Sequence, residues 1–267
     1  ARFATLAALM IGVGTVGNLI SSYPKALAAD TLGWRASLWV LAAACSGVAL
    51  GIFASVQDPG KPEGEARGSL LDLLKMPALW LILPIMFVNY APIGAVRGLW
   101  IGPYLTDVFA LSVAQVGIGT LVMSLAMIAG TLTYGPLDRI LGTRKWVAFG
   151  GNAITVMLLV ILIMVIAYDP WLSIALMAAI GFFGASFPVI IAHARSFFPP
   201  HLTGRGVSLM NLFGIGGVGL MQFASGRIHT AWSGGTADAP YVAIFAFIAM
   251  ALAAGLLFYV WSRDTQD

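Results

Sequence analysis

Of the chain's 267 residues 60% are hydrophobic and only 9% charged, at a mean hydropathy of +0.92, whereas a soluble domain carries about 25% charge; water is excluded as the main solvent. Fourteen Lys and Arg against eleven Asp and Glu leave a formal +3, and these charges fall between long apolar runs. The single cysteine, Cys45, lies inside such a run, which excludes a disulfide framework or a thiolate metal site.

A helix needs about 20 apolar residues to cross a hydrocarbon core. Eight such runs follow one another, at 3–29, 36–56, 78–99, 113–134, 146–167, 171–191, 206–224 and 241–261. They lack the alternation of barrel strands, and in lipid every backbone polar group must be satisfied within the segment, so all eight are read as helices. The expected fold class is an all-α polytopic membrane protein.

The first run contains GVGTVG, residues 12–17, which spells a dinucleotide fingerprint. That motif needs a strand before it, a helix opening at it and water for a pyrophosphate, and an apolar span offers none of these. The seventh run repeats the spelling as GIGGVG, residues 214–219. Gly12, Gly14, Gly17, Gly214, Gly216 and Gly219 are therefore read as helix-packing glycines, which remove side chains so that a neighbouring helix approaches closely or the helix bends.

Between the second and third runs lies QDPGKPEGEARGS, residues 57–69, rich in Pro, Gly and charge. It marks a boundary between residues 1–56, a linker at 57–77 in which LLDLLK lies along the membrane surface, and a second unit at 78–267. With Arg2 inside, Arg2, Lys61, Arg67, Lys75, Arg139, Arg144, Lys145, Arg195, Arg205 and Arg263 share one side, leaving Lys25, Arg35, Arg97 and Arg227 on the other. Ten against four places the linker and the C-terminus in the cytoplasm by the positive-inside rule, and the bilayer is expected to be the bacterial inner membrane.

The two glycine-rich copies each follow an arginine and lie about two hundred residues apart, an interval that holds six spans. Parallel repeats related by an axis along the membrane normal have this character. On that reading four helices precede residue 1, and the chain holds the fifth to twelfth of twelve; Ala1, which is not Met, is then a processed end or the start of a fragment.

The loop between the fourth and fifth runs reads YGPLDRILGTRKW, residues 134–146: a glycine, Asp-Arg, a second glycine and a basic pair. With GWR at 33–35 and FFPPHLTGRG at 197–206, it resembles the major facilitator superfamily over essentially the whole chain. It departs from the family pattern in that Gly135 stands one position closer to Asp138, Gly142 one further, and Thr143 occupies a commonly basic position. The resemblance implies a secondary transporter working by alternating access, with 1–56 as the last two helices of an N-terminal bundle and 78–267 as a six-helix C-terminal bundle. It also implies that Gly135, Asp138, Arg139, Gly142, Arg144 and Lys145 form a latch that closes the inner ends of the bundles. Glycines there permit a tight turn, and Asp138 is placed to cap a helix N-terminus; the plainer alternative is a loop merely anchored by its charges.

Solute sites in such a protein lie near the midplane, so polar side chains inside spans are the candidates. The third run holds Asn89, Tyr90 and Arg97 with Pro84 and Pro92, and Tyr90, Gly94 and Arg97 share one helical face around a small residue that leaves a hollow. No Asp or Glu that would face Arg97 falls within the eight runs. Its guanidinium either meets an anionic solute or snorkels to the interface. Asn89, Asn211 and Gln222 are weaker solute candidates than Arg97, each equally able to bond a neighbouring helix. Three scattered histidines give no metal-ligand spacing, no nucleotide-hydrolysing loop is present, and no nucleophile and base pair points to an enzyme.

Metal, cofactor and nucleic acid are thus not expected. The expected partners are a small solute, the bilayer, the preceding helices of the same protein and a coupling ion such as a proton. The competing reading is a non-transporting membrane protein acting as a sensor, scaffold or assembly partner. Cysteines placed by Lys145→Cys and Asp107→Cys should be labelled from opposite faces of the bilayer by an impermeant maleimide; labelling from the same face would overturn the topology.

Overall fold

The computed structural model describes residues 31–56 and 69–264, with Gly17, Leu27 and Ala28 as isolated positions. The expected first span with Gly12 and Gly14, and most of the linker, lie outside the described residues. Among those described every regular element is helical, and seven helices are long and apolar enough to cross a membrane: Trp34–Ser55, Pro77–Phe109, Val113–Leu141, Lys145–Met164, Pro170–Arg195, Pro200–Trp232 and Ala239–Tyr259.

The elements are α1 (Trp34–Ser55), a short α2 (Leu70–Leu74), then α3 (Pro77–Asn89), α4 (Ala91–Ala95), a π-helical turn at Val96–Trp100 and α5 (Ile101–Phe109) within one long span. α6 (Val113–Leu141) and α7 (Lys145–Met164) follow. α8 (Pro170–Phe183) and α9 (Phe187–Arg195) make another interrupted span, α10 (Thr203–Trp232) follows a 3-10 turn, and α11 (Ala239–Tyr259) closes the chain. α8 packs on α6 and α7, while α11 packs on α3, α7 and α10. No residue of α1 is buried among the described residues.

Starts and stops have local causes. Ser69 with Asp72 and Ser112 with Gln115 form capping boxes, Asp169 accepts the Leu172 N–H, and prolines open α3, α8 and α11. Gly33 (φ 84°) and Gly142 (φ 64°) hold left-handed backbone that a side chain would strain. Two spans run past their expected ends. The third continues from 99 to Phe109, where the Tyr241 hydroxyl donates to Asp107. α6 continues through Pro136 to Leu141, so Gly135 lies inside a helix and not in a turn, with open space where its Cβ would be.

Two core clusters fill the bundle. One, around Leu79, Met86, Val189 and Tyr259, sits toward the Lys145 end; the other, around Trp100, Tyr104, Ile174 and Phe245, sits toward the opposite end. Close helix approach uses specific glycines. A Cβ at Gly214 would meet the Phe187 ring, and one at Gly217 would collide with the Phe87 carbonyl, whereas Gly17, Gly216 and Gly219 face open space. Gly217 was not among the expected packing positions; it lies one turn from Gly214 on the buried face of α10.

Gly217→Ala should destabilise the chain by about 1–3 kcal/mol because backbone blocks the added methyl, while Gly216→Ala should stay within about 0.5 kcal/mol. Thermal unfolding in detergent compares them, and equal loss in both would contradict this packing.

Candidate functional site

Both interrupted spans break at the same level of the bundle. In the first, Pro92 cannot donate to the carbonyl four residues back, the helix halts at Tyr90, and the Gly94 N–H restarts it on the Tyr90 carbonyl at 2.7 Å. The π turn follows at once, its register shown by the Ile101 N–H reaching the Val96 carbonyl. In the second, Gly184–Ser186 separates α8 from α9, with Pro188 opening the new helix.

Each break frees backbone carbonyls, and a side chain from a neighbouring helix answers. Gln222 Nε2 donates to the Gly94 carbonyl at 3.0 Å, and the Tyr134 hydroxyl donates to the Phe183 carbonyl at 2.8 Å. A polar knot joins the two breaks. Asn89 Nδ2 donates to Asn152 Oδ1 (2.7 Å) and Ser186 Oγ (3.0 Å), while Asn152 Nδ2 donates to Ser186 Oγ (3.0 Å) and the Ala148 carbonyl (2.7 Å). All three residues are fully buried. The Asn89 Oδ1 atom is buried without a partner.

Beside the breaks lies a hollow of about 240 Å³ lined by Tyr90, Ile93, Met127, Thr131, Phe187 and Ile215 among others. The Tyr90 and Phe187 rings meet at 5.2 Å between centroids, tilted by 53°. The position of Gly94 is not open: Val218 from α10 fills the space its Cβ would need. Arg97 is partly buried further along the span, where its Nε donates to Ser124 Oγ of α6 at 2.8 Å and the Ser124 hydroxyl continues to the Thr120 carbonyl at 2.7 Å.

The five solute candidates therefore separate. Tyr90 lines the hollow and Arg97 reaches α6. Asn89 and Gln222 bond neighbouring helices, and Asn211 is exposed on α10. Phe187, Thr131, Asn152, Ser186 and Ser124 join the site without having been singled out. The signal for two of them was the GASFP stretch at 184–188, whose Gly, Ser and Pro mark a helix break as plainly as Pro92 does.

At the Lys145 end a second cluster forms. Arg144 Nε pairs with Asp138 Oδ2 at 3.3 Å, both side chains being largely shielded at 20% and 15% exposure. Asp138 sits in the last turn of α6 and does not cap α7. Thr143 takes that position, its Oγ1 accepting the Trp146 N–H at 3.2 Å, and Thr143 in turn donates to Asp264. Asp264 Oδ1 accepts the Lys145 N–H at 3.1 Å, while Lys145 Nζ donates to the Val260 carbonyl at 2.7 Å. The carboxylate thus serves the N-terminus of α7 and the ammonium the C-terminus of α11, the favourable sense at each dipole end.

Fully buried His193 completes the cluster, Nε2 at 2.8 Å from the Arg263 carbonyl and Nδ1 at 2.8 Å from the Tyr259 hydroxyl. A carbonyl only accepts, so Nε2 carries the proton and, in the neutral ring, the Tyr259 hydroxyl donates to Nδ1. Arg139 and Gly135 are exposed on α6 outside these contacts.

Helices long and apolar enough to span a membrane, two of them interrupted at a common level beside a hollow, match the discontinuous-helix architecture of membrane transport proteins. The model for the Major Facilitator Superfamily matches residues 85–267, and the chain belongs to that superfamily of secondary transporters. A search of curated proteins found no match.

Burial pushes the Asp264 carboxyl up, but hydrogen bonds from Thr143 and the Lys145 amide and the nearby His193 more than offset this, holding it below the usual carboxylate value. A value lower in the folded state than the unfolded value of about 3.9 stabilises the fold above that pH, and the contribution is lost as pH falls through the lowered value. Melting temperature should therefore drop more steeply below about pH 4 in the parent chain than in Asp264→Asn. Parallel acid limbs would remove Asp264 from the cluster's stability.

Proposed function

We propose that this superfamily member moves a small solute by alternating access, and that the solute is held in the hollow beside the helix breaks with an anionic group directed toward Arg97. What carries the reading is the coincidence of two helix breaks, an aromatic pair and a guanidinium on one stretch of the bundle. Tyr90 and Phe187 supply faces for an apolar or planar body. Arg97, held by Ser124 at a fixed position, supplies the charge, and an oriented guanidinium selects carboxylate or phosphate by its fork of donors.

In this reading residues 1–56 belong to the N-terminal bundle, 57–77 form a cytoplasmic linker and 78–267 form the C-terminal bundle, with further helices ahead of residue 1 completing the cavity. The absence of any buried residue on α1 supports assigning it to a different bundle. Asp138, Arg144 and Lys145, with Asp264 and His193, hold the cytoplasmic end closed and release it as the bundles rock, and Gly142 supplies the tight turn between α6 and α7; Arg139 and Gly135 stand outside these contacts. The bilayer is the bacterial inner membrane, the C-terminus faces the cytoplasm, and an ion gradient supplies the energy. Family membership favours transport over a sensor or scaffold role.

Uptake by the complete transporter tests the reading. Arg97→Ala should lower apparent affinity for the anionic solute about tenfold or more, the worth of a charged hydrogen bond. Tyr90→Phe, which keeps the ring, should retain most uptake where Tyr90→Ala does not. Unchanged affinity for every anionic solute in Arg97→Ala would end the assignment. The 267-residue chain alone should show no counterflow in proteoliposomes.

A further inference from the structure

A larger cavity, about 640 Å³, opens at the Lys145 end and is lined by Arg144, Pro188, Ile191, Ala192, Arg195, Ser196 and Val207. Its volume falls within the about 300–1,000 Å³ of small-ligand sites. Pro188, Ile191, Ala192 and Arg195 follow at i, i+3, i+4 and i+7, so one face of α9 forms the wall. The lining is divided: an apolar side from α9 and Val207 of α10, and a polar end with two guanidiniums and the Ser196 hydroxyl. Among the described residues its lining holds two cations and no carboxylate. Arg195 is exposed and, among the described residues, forms no ion pair.

We propose that this cavity binds a phosphate-bearing anion, its phosphate between Arg144 and Arg195 and its less polar remainder along Ile191, Ala192 and Val207. Two guanidiniums present forked donors matched to phosphate oxygens, and the wall suits a glycerol or acyl segment better than bare water. Arg139, Lys145, Arg205 and Arg263 stand at the same end of the bundle, where a cationic pocket between membrane helices meets lipid headgroups. A phospholipid headgroup and a free organic phosphate share this chemistry. Arg144 also pairs with Asp138, so the bound anion and that carboxylate draw on one guanidinium, and occupancy is coupled to the latch.

The full chain in nanodiscs of phosphatidylcholine with or without phosphatidylglycerol, read by native mass spectrometry, tests the site independently of transport. The parent should retain phosphatidylglycerol, and Arg195→Gln should weaken retention about tenfold. Asp138→Asn should strengthen it by removing a nearby like charge. Arg97→Ala should leave it unchanged, which separates this cavity from the solute hollow even though Pro188 lines both. Displacement of the lipid by glycerol phosphate at millimolar concentration would assign the site to a free phosphate; resistance to displacement would assign it to lipid. Equal retention in parent and Arg195→Gln, or none in either, overturns the proposal.

Discussion

Everything distinctive in this bundle follows from one constraint: inside a hydrocarbon layer no water is present to take up a backbone carbonyl that a helix has released. An interrupted span therefore needs a repair, and each interruption here has one from a different helix. Gln222 of α10 serves the Gly94 carbonyl, Tyr134 of α6 serves Phe183, and Asn152 of α7 ties Asn89 to Ser186. An unmet buried group costs about 1–3 kcal/mol, so these side chains are as necessary to the fold as the apolar core.

The charged end obeys related logic at lower cost, because it borders water. Helix ends expose unpaired N–H and C=O groups, and the cluster answers them reciprocally: Asp264 at the start of α7, Lys145 at the end of α11, His193 across to the Arg263 carbonyl. The residues after α11 thereby become part of the loop chemistry between α6 and α7. Ion pairs at such a border contribute modestly.

The fold was legible because its signal is coarse. Apolar runs of the right length, separated by charge, allow only one class of structure, and the loop at 134–146 pointed to the family. Within the spans the reading was weaker for a physical reason: periodicity that separates inside from outside in water fades when both faces of a helix are apolar. Thus Gly216 and Gly219 read like Gly214 yet face open space, while Gly217 makes the tightest approach. Arg97 was visible as a charge out of place, but Ser124 could not be paired with it from sequence, since a serine inside a span has many possible partners. Asp264 escaped notice because contacts between a chain end and a distant loop leave no local pattern.

The same hydrogen bonds bear on how such a protein moves. Asn89–Asn152–Ser186, Gln222–Gly94, Tyr134–Phe183 and Arg97–Ser124 all lie within the bundle formed by α3 to α11. A cycle that flexed the spans at their breaks would rupture several of these at once, at about 1–3 kcal/mol for each group left unpaired, with no water to compensate. A motion that carries the whole bundle as one body leaves every one intact. The breaks are therefore better regarded as fixed parts of the bundle than as hinges.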